Sequence, residues 1–336
     1  MTTKRWAALA IAAVLLFFSI GLNTIITIFK TDFFSSMDSV MGLETSVYEN
    51  ILEEGDFDQR IAHLTVSGVI QDTGEGSLWE EVDYDHQGFL AELDSVLNDK
   101  SVKGVLLTVD SPGGGVIESA EIHSKLVEIK EKRQIPIYVS MGSMAASGGY
   151  YIAAPADKIF AQRETITGSI GVIMQSYNYA QLAEKIGIEF ETIKSGEHKD
   201  MLGGSRPTSE EELAMVQEMI DEMYEEFVDV IEVGRGMSEA EIKKVADGRI
   251  LGGTQALKAG LVDEIGKEQD ALTALRADFN LEDAEVFEYT SESDSWASLL
   301  GMKASSLFEP SIESQYFSKI ISSSNSPRMM YLYGDY

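Results

Sequence analysis

Val105-Leu106-Leu107-Thr108-Val109-Asp110-Ser111-Pro112-Gly113-Gly114-Gly115 is an apolar, strand-like run that ends in a proline and a row of glycines. A second run, Ile135 to Val139, leads into Met144-Ala145-Ala146-Ser147-Gly148-Gly149. Residues at helical spacing follow each glycine stretch, so both units read strand, tight turn, helix. Glycine lets a backbone come within hydrogen-bonding distance of a ligand, because no Cβ intervenes. Ser147 then stands at a strand end, ahead of a helix, flanked by N–H groups that can bind an oxyanion. Either turn alone is common punctuation. Two of them, with a serine in the second, point to acyl transfer.

The same alternation extends outward. Arg60–Ile70 reads as a strand, followed by a polar, acidic loop from Gln71 to Gln87 and a helix carried by Phe89, Leu90, Leu93, Val96 and Leu97. Val102–Val109 and Ile117–Lys130 form the next strand and helix. Lys158–Ala161, Ile170–Gln175 and Glu189–Lys194 are further expected strands, with a helix over Tyr179–Ile186. This order predicts an α/β fold with a parallel-rich sheet flanked by helices. Thr208–Val233 predicts a long helix striped by Leu213, Val216, Ile220, Tyr224, Phe227 and Ile231, and Ser238 with Glu241 predicts a capping box for the next.

Residues 58–290 are expected to form the catalytic domain, with 30–57 as an amphipathic stalk and 291–336 as a serine-rich tail. The tail ends in the apolar, extended run Met329-Met330-Tyr331-Leu332-Tyr333. Two roles are open for it: to enter a peptide groove as an added strand, or to cover an apolar patch between subunits.

Trp6–Phe29 carries no charge and is long enough to cross a bilayer, which needs about 20 apolar residues. Lys4 and Arg5 precede it, so residues 1–5 are expected in the cytoplasm and everything after Lys30 outside. A cleaved signal peptide would have a shorter apolar region, with its small residues at the other end. The net charge is −30, and because residues 1–30 hold only basic charges, the remainder is more acidic still. That surface opposes nucleic acid as a partner. Cysteine is absent, which removes disulfides, thiolate metal sites and cysteine-protease chemistry. No H-E-x-x-H occurs, and neither metal nor cofactor is expected.

A serine nucleophile needs a base. The histidines are His63, His86, His123 and His198, and no G-x-S-x-G elbow surrounds Ser147 because position 145 is alanine. Lysine is the alternative, provided that desolvation lowers its pKa from ~10.4 by roughly 2–3 units. Lys199, in Ser195-Gly196-Glu197-His198-Lys199-Asp200-Met201-Leu202-Gly203-Gly204, is bracketed by glycines, yet Glu197 and Asp200 could hold it as an ordinary solvated ion. Spacing alone does not choose among the lysines.

Five segments together resemble the signal peptide peptidase A family: Asp110-Ser111-Pro112-Gly113-Gly114-Gly115, Ala146-Ser147-Gly148-Gly149-Tyr150-Tyr151, Thr167-Gly168-Ser169-Ile170-Gly171-Val172, Ser195-Gly196-Glu197-His198-Lys199-Asp200 and Gly260-Leu261-Val262-Asp263. They occur in order across residues 58–280, behind an N-terminal anchor, at the length of the single-unit members. The resemblance implies a Ser–Lys dyad endopeptidase on a ClpP/crotonase-like fold. Ser147 would be the nucleophile, Lys199 the general base, the N–H groups of Gly114 and Gly148 the oxyanion hole, and Ser169 the group orienting the lysine. It further implies cleaved signal peptides as substrates, a catalytic domain outside the cytoplasmic membrane, and self-association into a membrane-tethered homo-oligomer. Two alternatives are a crotonase-like acyl-CoA enzyme, which would need a positively charged nucleotide surface that the acidic composition opposes, and a catalytically silent peptide-binding scaffold, which the presence of both Ser147 and Lys199 opposes.

Overall fold

The computed structural model describes residues 48–73, 84–290 and 328–334. The expected membrane span, most of the stalk and most of the tail lie outside the described residues. Among the described residues no helix is long and apolar enough to cross a membrane.

The chain begins with strands β1 (Tyr48–Glu53) and β2 (Asp56–Ser67), helix α1 (His86–Asn98), strands β3 (Val102–Ser111) and β4 (Gly113–Gly115), and helix α2 (Val116–Arg133). Next come β5 (Ile137–Ala146), α3 (Gly148–Ala153), β6 (Lys158–Ala161), β7 (Ile166–Gly168), α4 (Ala180–Lys185) and the long α5 (Glu210–Arg235). The chain continues through α6 (Glu239–Ile242), β8 (Ile250–Gly252), α7 (Gly253–Ala259), β9 (Glu264–Ile265), α8 (Glu268–Phe279) and β10 (Ala284–Thr290), and β11 (Met330–Leu332) closes it.

The main sheet runs in the order β1-β10-β2-β3-β5-β6-β9, with β7 beside β5 and β8 beside β7. The pairs β10/β2, β2/β3, β3/β5, β5/β6, β5/β7 and β6/β9 are parallel, and β7/β8 is antiparallel. The mostly apolar run Val105–Val109 of β3 follows from burial of both its faces, as in a parallel sheet covered on each side. On one face Leu106, with Ile61, Tyr138 and Phe160, packs against Leu272 and Leu275 of α8. On the other lie Val105, Leu107 and Val109, all fully buried. α1 packs on β2, α3 packs on β3 and β5, and α2 packs on α1 and α3.

Several expectations need correction. The end of the expected stalk is sheet: β1 lies beside β10, and Asn50 Nδ2 donates to Glu288 Oε1 at 2.8 Å. Glu189–Lys194 is not a strand, because no sheet edge among the described residues lies beside it; Ile193 is 96% exposed. Ile170–Gln175 contributes only a bridge from Ile173 to Met330, whereas β7, just upstream, joins the sheet.

What positions the site is a change of neighbour along β5. Tyr138–Met141 pairs with β6, while Met144–Ala146 pairs with β7. Beyond its contact with β6 the strand runs on, and its last residues lie between β7 and the end of β3, where Ala145 faces Ser111.

Candidate active site

Small side chains at Ala145 and Ala146 suit this crowded passage. Thr167 Oγ1 donates to the Ala145 carbonyl at 2.6 Å. Ser147 comes next, its N–H donating to the Gly168 carbonyl at 2.8 Å and its carbonyl accepting from Tyr151 N at 2.9 Å. Held at both ends, it adopts φ 53° and ψ −118°, a conformation that costs a non-glycine residue about 1–3 kcal/mol. The side chain is buried, and Oγ has no hydrogen-bond partner among the described residues. Strain and an unsatisfied hydroxyl at one residue mark a functional position.

The first glycine stretch lies against it. Ile70 N–H donates to the Gly113 carbonyl at 2.9 Å, and Gly115 N–H donates to the Ile70 carbonyl at 2.8 Å. By strand alternation, the N–H and carbonyl of Gly114 point to the opposite side. A Cβ on Gly148 would stand 3.1 Å from Gly114 N and 2.6 Å from Ser119 Oγ, so the two glycine turns touch backbone to backbone. No larger residue fits there. The N–H of Gly114 and that of Gly148, the first residue of α3, therefore lie close together beside Ser147.

The tail occupies the far side of this junction. β11 pairs antiparallel with β4, Tyr331 opposite Gly114. On its other edge Met330 exchanges both hydrogen bonds with Ile173, at 2.9 and 3.0 Å. A Cβ on Gly113 would lie 2.0 Å from the Tyr331 carbonyl oxygen and 2.6 Å from Gly148 N. The Tyr331 carbonyl thus lies at the meeting point of the two glycine turns. Its ring is fully buried, stacked on Tyr151 with centroids 5.0 Å apart and tilted against Phe227 at 4.7 Å. Its hydroxyl donates to the Met223 carbonyl at 2.9 Å, and burial pushes its pKa up. Beside the ring opens a cavity of about 560 Å³, walled by Val116, Ile117 and Ala120 of α2 and by Met223 and Glu226 of α5. An extended peptide here gains a strand partner on both edges and a pocket for an aromatic side chain.

Ser169 is brought to the site and Lys199 is not. Ser169 follows the glycine that holds Ser147, is buried, and takes φ 51° with its N–H donating to the Arg249 carbonyl at 2.8 Å. It lines a second cavity with Tyr224, Asp247, Gly248 and Leu332. Lys199 lies in an exposed loop without regular structure, and its Nζ has no hydrogen bond or ion pair among the described residues. No histidine reaches Ser147 Oγ either. His123 lies against Tyr151 with centroids 5.2 Å apart, and burial pushes its pKa down to about 4; His86 is enclosed between Tyr84 and Glu121. No group of side chains among the described residues could hold a metal ion.

The aromatic pocket was not visible in the sequence. Phe227 stood there as one more member of an apolar helical stripe, and nothing local separates a pocket wall from a core residue.

Comparison with known proteins places the chain among peptidases. The profile described as peptidase family S49 matches residues 129–282. A protein of Enterococcus faecium that carries the name signal peptide peptidase is 43% identical, with 99% of each chain covered. Protease 4 of Haemophilus influenzae is 34% identical over 74% of this chain and 40% of its own. A chloroplastic serine protease of Arabidopsis thaliana is 34% identical over 57% of this chain and 28% of its own. The chain thus spans well under half the length of the last two.

Proposed function

The chain belongs to the signal peptide peptidase A family within peptidase family S49 and is a serine-type peptidase, and from that premise we propose that it is a membrane-anchored Ser–Lys endopeptidase that degrades residual signal peptides outside the cytoplasmic membrane. The observation that carries the catalytic part is the junction at Ser147. A strained, unpartnered hydroxyl stands beside two inward N–H groups, and a peptide carbonyl lies between the turns that bear them.

In the proposed reaction Ser147 Oγ attacks the scissile carbonyl while a neutral Lys199 Nζ accepts its proton. The N–H groups of Gly114 and Gly148 hold the oxyanion, an interaction worth roughly 100- to 1000-fold per donor. The lysine ammonium then protonates the leaving amine, and an ester to Ser147 remains. Water, deprotonated by the same lysine, hydrolyses that ester and frees the serine. Ser169 would orient the ammonium, and the scaffold would be of the ClpP/crotonase type.

A solvated lysine is a poor general base near neutral pH, since burial is what lowers its pKa. The segment leading to Lys199 exposes Ile186, Ile188, Phe190 and Ile193 together. A homo-oligomer would cover that apolar surface, desolvate Lys199 and bring it to the Ser147 of a neighbouring copy. Mixing tests this directly. Ser147→Ala and Lys199→Ala proteins, each inactive alone, should regain measurable turnover when dissociated and reassembled together, because some sites then combine an intact serine with an intact lysine. Silence of the mixture, with each parent still folded and assembled, would refute a base supplied in trans.

The apolar substrate class is supported by the pocket around Tyr331, which is aromatic on two sides and opens into an apolar cavity. Topology rests on the charges flanking Trp6–Phe29, with the N-terminus inside and the catalytic domain outside.

A further inference from the structure

The loop that carries Lys199 has little hydrophobic packing, yet its charged side chains form a closed set. Arg206 sends Nη1 to Glu212 Oε2 at 2.8 Å and Nη2 to Glu212 Oε1 at 2.6 Å. The same Nη2 reaches Asp200 Oδ1 at 2.6 Å. Asp200 Oδ1 also receives Lys194 Nζ at 2.7 Å, and that ammonium donates to the Glu197 carbonyl at 2.6 Å. Glu212 belongs to α5 and closes its first turn: Ser209 N–H donates to Oε2 at 2.9 Å, and Glu212 N–H donates to Ser209 Oγ at 3.2 Å. His198 Nδ1 lies 3.3 Å from Glu212 Oε1. The Glu212 side chain is only 2% exposed and that of Asp200 15%.

Lys199 sits immediately before Asp200 and pairs with no acid among the described residues. Of the charged groups on its own loop and on the facing turn of α5, Asp200 is held through Oδ1 by Arg206 and Lys194, and Glu212 by Arg206 and the helix cap. Glu197 contributes only its carbonyl to this set, and His198 is turned to Glu212. We propose that Arg206 is a positioning residue for the general base: its fork ties Asp200 to Glu212, so that neither carboxylate becomes the counter-ion of Lys199. An ammonium with an adjacent free carboxylate keeps its proton, and an opposite charge within about 4–6 Å shifts a pKa by 1–3 units. Holding Asp200 away therefore leaves Lys199 without a fixed counter-ion once assembly desolvates it. In accord with this, Arg206 holds both Asp200 and Glu212 well below the usual carboxylate range.

The inference rests on Lys199 being the base, and the experiment separates the two claims. In the assembled full-length enzyme, kcat/KM for a peptide substrate is followed against pH for wild type, Arg206→Gln, Arg206→Gln/Asp200→Asn and Lys199→Ala. In Arg206→Gln the rising limb should move up by about one pH unit or more, with the high-pH plateau approaching wild type. The added Asp200→Asn should return the limb to its wild-type position. A uniform loss of activity with the limb unmoved means that Arg206 only supports the fold, and overturns the positioning role while leaving an inactive Lys199→Ala intact as evidence for the base. An active Lys199→Ala enzyme overturns both. If Arg206→Gln does not assemble, Arg206→Met serves instead, since it keeps an unbranched stem and offers no donor to either carboxylate. A limb unmoved in Arg206→Met is equally decisive against the proposal.

Discussion

Gly113 shows how little freedom the site leaves at a single residue. Its φ is +97°, and a Cβ there would lie 2.0 Å from the Tyr331 carbonyl and 2.6 Å from Gly148 N. Both objections are backbone, so neither can be relieved by a rotamer change. Gly113→Ala must displace the bound strand, the start of α3 or both, and with them the proposed oxyanion donors. We expect a loss of at least about 100-fold in kcat, with a fold intact by circular dichroism and KM changed less than kcat. Wild-type turnover by this variant would mean that the two glycine turns do not bind the reacting carbonyl. The requirement for glycine was legible in the sequence from the row Gly113-Gly114-Gly115. Which atoms crowd each glycine was not, because those atoms come from the second turn and from the tail.

Among the elements, β11 changes the reading of the chain most. Its sequence, apolar and extended, left open whether it covers a subunit interface or enters a groove. In the structure it is a strand laid across β4 beside Ser147. The Tyr331 carbonyl at the glycine junction gives this a specific consequence. If the enzyme acts on its own tail, the cut falls after Tyr331. Mass spectrometry of the purified protein should find that shortened C-terminus in wild type and a full-length one in Ser147→Ala. Equal full-length masses in both would exclude self-processing. The other elements followed their local signals more closely. β6 occupies Lys158–Ala161 as the apolar run indicates, and α6 begins at the capping box of Ser238 and Glu241. Glu189–Lys194 has the look of a strand but no partner, and hydrophobic alternation cannot say whether a sheet edge is waiting.

At the scale of the whole molecule, the acidic surface and the uncharged span near the N-terminus make one expectation. Protease added to intact protoplasts should digest the catalytic domain, leaving a fragment that contains Trp6–Phe29 with the membrane. Survival of the domain until lysis would place it on the cytoplasmic side and exclude the topology proposed. The acidity also bears on assembly, since a strongly negative surface resists self-association. The exposed apolar run from Ile186 to Ile193 is a part of the described surface that could offset that repulsion.

By itself, the sequence determined the alternation of strand and helix, the two glycine turns and the placing of Ser147 between β5 and α3. These depend on periods of two and 3.6 residues and on the backbone freedom of glycine, all of which act over a few neighbours. The tertiary structure decided the rest. It set β10 between β1 and β2, brought Phe227 and Met223 of α5 around Tyr331, and laid the tail across the glycine turns. It also left Lys199 exposed on its own chain, which decides between the two environments that the lysine's neighbours left open. Each of these is a pairing between segments far apart along the chain, chosen by which edges and cavities remain when the core is packed, and a linear pattern carries no record of that choice.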